Sequence, residues 1–329
     1  MRDFSNFLAQ TDWSGAAVTH LAGDASNRRY GRIAARTGKP AAVLMDSPPD
    51  KGEDIRPFIK IANHLRDLGL SAPAIFAIDT NQGFLLLEDL GDDLYARVLE
   101  RDPALELDLY KAATDVLIHL HKADVPPVER YDTPLMTDLA CLAFDKYQAG
   151  VTQDIAEPAR HQFHAQFSHL LQDTLNHPDV LILRDYHAEN LLWLPERQGT
   201  ARVGLLDFQD AMAGHPAYDL VSMLQDARRD VSQDCETQMI AHYIAQTGVD
   251  KDAFQSAYAV LGVQRNLRIL GVFARLSLDY GRSGYVDLIP RVWAHLEKDL
   301  SHPKLSGLSD LLLTSLPKPS TDTLRRLLP

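Results

Sequence analysis

The sequence predicts an α+β fold in two lobes, with residues 1–90 as a small β-rich N-lobe and residues 91–329 as a large helical C-lobe. Three observations carry this expectation. The chain has 329 residues, more than a single hydrophobic core usually serves and enough for one large bilobal domain. Its first part breaks into short apolar runs separated by turn signals, as strands do. From Leu105 onward apolar residues recur at helical spacing, interrupted by the short apolar runs Val180–Leu183, Leu191–Leu194 and Val203–Leu206.

Within the N-lobe, Arg28–Ala35 and Ala41–Met45 read as strands joined by the turn Thr37-Gly38-Lys39-Pro40. Pro57 opens a helix whose Phe58, Ile61, Ala62, Leu65 and Leu68 share one face. Ile75–Ile78 and Phe84–Leu87 read as two more strands, joined by a turn around Asn81-Gln82-Gly83. The hinge is expected at Glu88-Asp89-Leu90-Gly91, and the longest helix at about Asp252 to Tyr280.

Composition narrows the function by exclusion. Lys and Arg number 33 against 45 Asp and Glu, a net charge of −12, which argues against a nucleic-acid surface. No apolar run approaches the length of a membrane span, and Met1–Trp13 has no signal-peptide pattern, so a cytoplasmic location is expected. Cys141 and Cys235 belong to no metal-binding cluster and read as two buried reduced thiols. His161, His164 and His169 fall off the apolar face formed by Phe163, Phe167, Leu170 and Leu171, so a solvated face is expected rather than a metal site. A monomer or weak dimer is the expected state.

The segment that carries chemistry is Arg184-Asp185-Tyr186-His187-Ala188-Glu189-Asn190, followed 17 residues after Asn190 by Asp207-Phe208. Apolar runs flank both pieces, so Asp185, Asn190 and Asp207 fall at strand ends, where side chains can converge. Phosphoryl transfer needs such a set. One carboxylate orients the attacking hydroxyl and accepts its proton, while a carboxylate and an amide oxygen hold Mg²⁺ against the phosphates. Asp and Asn also make ordinary turns, but the spacing and the preceding strand-rich lobe favour the chemical reading.

D-x-H-x-x-N followed by L-L-D-F resembles the aminoglycoside phosphotransferase and choline kinase superfamily. That resemblance implies a protein-kinase-like bilobal fold with ATP and Mg²⁺ as cofactors. It makes Asp185 the catalytic base and Asn190 and Asp207 the metal ligands. Asp219, in Pro216-Ala217-Tyr218-Asp219-Leu220, resembles a family aspartate that braces the catalytic loop, and Asp210 could reach the metal through water. Many relatives have His-Gly-Asp where this chain has Leu183-Arg184-Asp185.

Further segments narrow the likeness: Gly23-Asp24-Ala25-Ser26 with Arg28-Arg29-Tyr30, Leu44-Met45-Asp46, Leu86-Leu87-Glu88-Asp89-Leu90-Gly91, and Gln264-Arg265-Asn266-Leu267-Arg268-Ile269-Leu270-Gly271. Together, over about Leu21 to Leu296, they are similar to bacterial anomeric N-acetylmuramate/N-acetylglucosamine kinases. This implies phosphorylation of the C1 hydroxyl of an amino sugar in cell-wall recycling. Backbone N–H groups of Gly23 to Ser26, including Asp24 and the Ser26 hydroxyl, stand where a phosphate loop belongs, though a hairpin turn suits the same residues. Glu88 and Leu90 resemble the hinge that meets adenine. The usual small-lobe lysine is missing, since Met45 holds its place. Arg28 or Arg29 could replace it. Adjacent strand residues face opposite ways, and Arg29 is expected to be the one that faces the nucleotide.

The acceptor site should lie in the C-lobe. Lys251–Leu300 carries seven Lys/Arg and five Asp/Glu, which suits a neutral or acidic sugar better than a polycationic aminoglycoside. Arg265 and Arg268 share a helix face beside Asn266 and could bind a carboxylate, with a solvated or ion-paired face as the alternative. Asp145 and Tyr147 resemble a further acceptor segment. The rival functions are an aminoglycoside or choline-type kinase and a pseudokinase that only binds nucleotide.

Overall fold

The computed structural model describes residues 2–21 and 27–329. The expected phosphate-loop residues Gly23, Asp24 and Ser26 therefore lie outside the described residues. The chain packs as two units, one of residues 1–120 with 188–211 and one of residues 121–187 with 212–329.

The first unit is built on an antiparallel sheet. Its strands are β1 (Thr19–Leu21), β2 (Arg29–Ile33), β3 (Ala42–Asp46), β4 (Ile75–Asp79) and β5 (Phe84–Glu88), in the spatial order β1-β2-β3-β5-β4. Four of these are the expected strands. The fifth, β1, has three residues and a mostly exposed pattern, too short to alternate visibly in sequence. One face of the sheet is covered by Phe7 and Leu8 of helix α1 (Ser5–Ala9) and by Trp13, which pack with Ile33, Ala42, Leu44, Phe84 and Leu86. A five-residue helix is not stable alone, so α1 owes its form to these apolar contacts, each worth roughly 1.5–3 kcal/mol when fully buried.

Helix α2 (Arg56–Asp67) starts with Pro57 in its first turn and buries Phe58, Ile61, Ala62 and Leu65, the face read from the sequence. The segment before α2 is fixed to the β4–β5 turn. Ser47 N–H donates to the Gly83 carbonyl at 2.9 Å. Gly83 has φ 72°, and a Cβ there would fall 2.0 Å from the Ser47 oxygen, so both its backbone and the close approach require glycine. Helices α3 (Tyr95–Arg101) and α4 (Glu106–Leu120) complete this part of the chain.

Residues 188–211 rejoin the first unit as the antiparallel pair Leu191–Trp193 and Val203–Leu205. Leu205 N–H donates to the Ser71 carbonyl at 2.9 Å, and Ser71 Oγ donates to the Ala201 carbonyl at 2.6 Å. A side chain at Gly204 would crowd Leu192, Leu194 and Leu90 at 2.9–3.2 Å, so glycine permits this approach.

The second unit is helical, with one small strand pair, Val180–Ile182 against Met212–Gly214. Its helices include α5 (Thr133–Leu142), α6 (Ala149–Thr152), α7 (Glu157–Thr174), α8 (Ala217–Leu224), α9 (Gln233–Thr247), α10 (Lys251–Tyr280), α11 (Ile289–Leu300), α12 (Ser306–Ser315) and α13 (Thr321–Arg325). The long α10 is capped by Asp250, whose carboxylate accepts from Ala253 N–H at 2.8 Å, and ends at Gly281 with φ 67°. A Cβ at Gly271 would lie 2.4 Å from the Leu142 backbone, so α10 and α5 pack backbone to backbone there. Between α5 and α6 the residues Ala143–Gln148 form a π-helical turn. Tyr147 OH donates to the Pro317 carbonyl and Gln148 Nε2 to the Ser315 carbonyl, both at 2.6 Å, which ties this turn to the C-terminal segment. Helix α7 buries Phe163, Phe167 and Leu171 and leaves His161 and His169 exposed. Among the described residues no helix is long and apolar enough to cross a membrane.

Candidate active site

In the first unit the structure brings Asn190 and Asp207 together. They bracket the 191–193/203–205 strand pair, and Leu206 N–H donates to the Asn190 carbonyl at 3.0 Å. The next residue, Asp207, has φ 55°, a left-handed conformation rare outside glycine. Such strain persists where surrounding contacts over-determine it and is concentrated at functional sites. Here the fixing contacts are visible. Buried Phe208 packs on Phe58 of α2 with ring centroids 4.9 Å apart. Gln209 Nε2 donates to Asp207 Oδ1 at 2.8 Å and reaches Asp210 Oδ2 at 3.4 Å.

The missing lysine has an answer in the same unit. Met45 is fully buried, and Lys39 pairs with Asp12 at 3.3 Å. Arg28 instead turns inward: its Nε donates to Glu53 Oε2 at 3.0 Å, and its Nη1 lies 4.0 Å from Asp207 Oδ1. Arg29, the residue expected to face the nucleotide, is exposed. The parity argument was sound, but it chose the wrong side, because two distant carboxylates draw Arg28 in. Burial alone lowers the Arg28 basicity, but Tyr30, Glu53 and Asp207 outweigh it and hold the guanidinium above its usual range. At the hinge, Glu88 is engaged by Arg197 Nη2 at 2.7 Å and by Ala74 N–H at 3.1 Å. Leu90 is half-buried beside Gly204.

In the second unit Asp185 sits on a loop held from beneath. The fully buried Asp219 carboxylate accepts from Leu183 N–H at 2.7 Å and Arg184 N–H at 2.9 Å. Ser222 Oγ donates to the Arg184 carbonyl at 3.0 Å. Arg184 has φ 70°, where the related sequences noted above carry glycine. Its three anchored groups, including a guanidinium 5.4 Å over the Tyr131 ring, offset that strain. Burial pushes the Asp219 carboxyl up to about 7, against the two N–H donors that favour its anion.

Asp185 faces a set of arginines. Burial alone would raise its carboxyl, but Arg268, Arg265 and Arg184 outweigh it and hold Asp185 below the usual aspartate range. Arg268 Nη1 donates to Tyr218 OH at 3.2 Å. Arg265 is 4% exposed, its Nη1 reaches the Gln225 carbonyl at 3.4 Å, and its Nε is buried without a partner among the described residues. These are buried residues, not the solvated face held open as the alternative. His187 stacks its edge near Arg228, Nη1 to Nε2 3.5 Å, and burial pushes it down to about 4, so it is neutral at pH 7.

Three expected acceptor residues are engaged internally. Asn266 Nδ2 donates to Gln225 Oε1 at 2.8 Å and sits near Asp299 in a buried polar cluster. Asp145 holds Arg160 through a bidentate pair at 2.6 and 3.0 Å. Tyr147 is fully buried against the C-terminal segment. Sequence reading missed Glu53 and Ser222. A carboxylate directly after the Gly52 turn was the one visible signal for Glu53; Ser222 offered none.

Comparison with known proteins comes last. The family described as "Phosphotransferase enzyme family" matches residues 17–255. A Caulobacter vibrioides protein named N-acetylmuramate/N-acetylglucosamine kinase is 37% identical, over 92% of this chain and 93% of its own. A Pseudomonas aeruginosa protein of the same name is 35% identical over 92% of this chain and 89% of its own. Among solved structures, a choline/ethanolamine kinase family protein from Mesorhizobium loti has a TM-score of 0.63 at 14% identity, over 98% of this chain and 97% of that one. An ADP-bound aminoglycoside phosphotransferase has a TM-score of 0.57 at 11% identity, over 88% of this chain and 96% of that one. At these identities the structures bear on fold alone, and the fold is the one expected from the sequence.

Proposed function

We propose a function for a chain that belongs to the phosphotransferase enzyme family: it transfers the γ-phosphoryl group of ATP to a sugar hydroxyl, the C1 hydroxyl of N-acetylmuramate or N-acetylglucosamine, in the cytoplasm. The observation that carries this reading is the juxtaposition of Asn190 and strained Asp207 at the ends of one strand pair. By role, residues 1–90 would bind nucleotide and residues 91–329 would carry catalysis and the acceptor, although 188–211 packs with the first unit.

Asp185 would orient the acceptor hydroxyl and take its proton. The hydroxyl oxygen bonds to the γ-phosphorus, the bond from that phosphorus to the β–γ bridging oxygen breaks with its electrons going to ADP, and the proton passes to Asp185. Held low by its arginines, Asp185 is a weak base, which suits a loose transition state where proton transfer comes late. Among the described residues no cluster of three or more His, Cys, Asp or Glu forms a cage for a metal. One carboxylate and one amide oxygen fit Mg²⁺, which takes few protein ligands and keeps water and phosphate oxygens. Asn190 and Asp207 would hold it, and bound there it would neutralise charge on the β- and γ-phosphates. Arg265, with its unpartnered buried Nε, and Arg268 would favour an acceptor with a carboxylate, such as a lactyl group.

A kinase assay over N-acetylmuramate, N-acetylglucosamine, kanamycin and choline tests this. Turnover of the amino sugars with kanamycin and choline inert is expected. Turnover of kanamycin with the amino sugars inert would reverse the acceptor. ATP binding without turnover of any acceptor would leave a nucleotide-binding module.

A further inference from the structure

Glu53 has no counterpart in the functions assigned so far, yet both its carboxylate oxygens are used. Oε1 accepts from Asn27 N–H at 3.2 Å and Oε2 from Arg28 Nε at 3.0 Å. The two paired side chains are each 13% exposed. At that depth an ion pair is little screened and its geometry matters, unlike a surface pair. Glu53 is also rigidly carried. It follows Gly52, whose φ of 80° and N–H bond to the Pro49 carbonyl at 3.0 Å close a tight turn. That turn follows the Ser47–Gly83 close approach and precedes α2.

We propose that Glu53 is a positioning residue for nucleotide binding: it fixes the Arg28 guanidinium beside Asp207, so that Arg28 and Glu53 supply from a strand start and a loop the cation–carboxylate pair that a lysine and a helix glutamate supply in kinases. The ligand is the polyphosphate of an adenine nucleotide, and the proposal rests on the reading of Asp207 given above. An arginine suits this arrangement better than a lysine. Its planar fork can give Nε to Glu53 while the Nη nitrogens project from the opposite edge, where Nη1 points to Asp207. A lysine is a single point charge and cannot hold both directions. The second bond of Glu53, to Asn27 N–H, fixes the backbone from which Arg28 springs.

The test is calorimetric titration of the full chain with Mg·ADP, alongside melting temperature and steady-state kinetics. Glu53→Gln keeps shape and loses charge; it should weaken ADP about tenfold and raise KM for ATP by a similar factor, with kcat changed less. Arg28→Ala should weaken ADP at least as much, and the double variant no more than Arg28→Ala, because Glu53 acts through Arg28. Asp54→Asn, the neighbouring carboxylate paired with Arg56, should leave ADP affinity unchanged. A merely structural Glu53 would lower the melting temperature and leave ADP affinity alone. Wild-type ADP affinity in Glu53→Gln, or additive losses in the double variant, overturns the proposal. Should Glu53→Gln fail to fold, Arg28→Lys decides: weaker ADP at an unchanged melting temperature supports it, and equal affinity overturns it. If the wild type binds no ADP at all, the proposed function itself fails.

Discussion

Lowering the pH from 7 to 5 should destabilise the second unit by about 6 kcal/mol through three histidines. His121 and His215 are pushed down by burial to about 3 and His187 to about 4, from an ordinary 6.5. His121 Nδ1 lies 2.7 Å from Tyr243 OH, and the His215 ring packs against His177 at 5.6 Å, where a second positive charge would be repelled. Each group is neutral when folded and takes up a proton on unfolding. Its contribution is therefore complete above 6.5 and is lost as pH falls from 6.5 toward the folded values. At pH 5 each unfolded imidazole gains about 1.5 pH units of protonation, worth about 2 kcal/mol at about 1.4 kcal/mol per unit. Three together take a large share of the roughly 5–15 kcal/mol that holds a typical domain. All three lie in the second unit, as does Trp293, while Trp13 and Trp193 lie in the first. In a Trp13→Phe/Trp193→Phe background, urea unfolding followed by Trp293 fluorescence reads that unit. His121→Gln should recover about 2 kcal/mol at pH 5 and change little at pH 7. A midpoint independent of pH between 5 and 7, or a wild-type pH slope in His121→Gln, His187→Gln and His215→Gln alike, would refute the reasoning.

The remaining predictions concern the site and its supports. Asp185→Asn should lower kcat by about 10²-fold with nucleotide binding little changed; near-normal turnover would remove Asp185 from the mechanism. Asn190→Ala and Asp207→Ala should each raise the Mg²⁺ needed for half-maximal rate, and Mg²⁺ titrations that superimpose on wild type would sink the ligand assignment. Asp219→Ala leaves the buried Leu183 and Arg184 N–H groups without their acceptor, at about 1–3 kcal/mol each, so the melting temperature should drop by several degrees; an unchanged melting curve would show that the loop is held by other means. Gly271→Ala places a methyl 2.4 Å from the Leu142 backbone and should destabilise the second unit by more than about 2 kcal/mol, against the smaller gain in helix propensity; a stabilised variant would mean α5 can yield.

What was legible in the sequence divides by how local its cause is. The strands, the α2 face and the long α10 announce themselves through periodicity, caps and turns, each set within a few residues. The D-x-H-x-x-N segment was legible because its residue types and spacing are the chemistry itself. Arg28 was not: its direction is set by Glu53, 25 residues on, and by Asp207 beyond that. Residues 188–211 join the first unit through Ser71, and no local pattern reveals a bond spanning 130 residues. Asp145, Tyr147 and Asn266 look like binding groups because they are polar, and only their distant partners Arg160, Pro317 and Gln225 reveal that each is already committed.

The π-helical turn at Ala143–Gln148 makes chain length in this segment a structural variable. Such a turn holds one residue more than the α-helix around it needs. Removing a single residue between 143 and 148 would let the ladder close as ordinary α-helix and rotate everything after it by about 100°. Tyr147 and Gln148 would then swing off the carbonyls of Pro317 and Ser315, and Gly150, whose absent side chain leaves room for Leu327, would turn away from it. The C-terminal segment would lose its seat although none of its own residues had changed. A one-residue deletion here should therefore act like a truncation about 170 residues downstream, the separation spanned by the Tyr147–Pro317 bond.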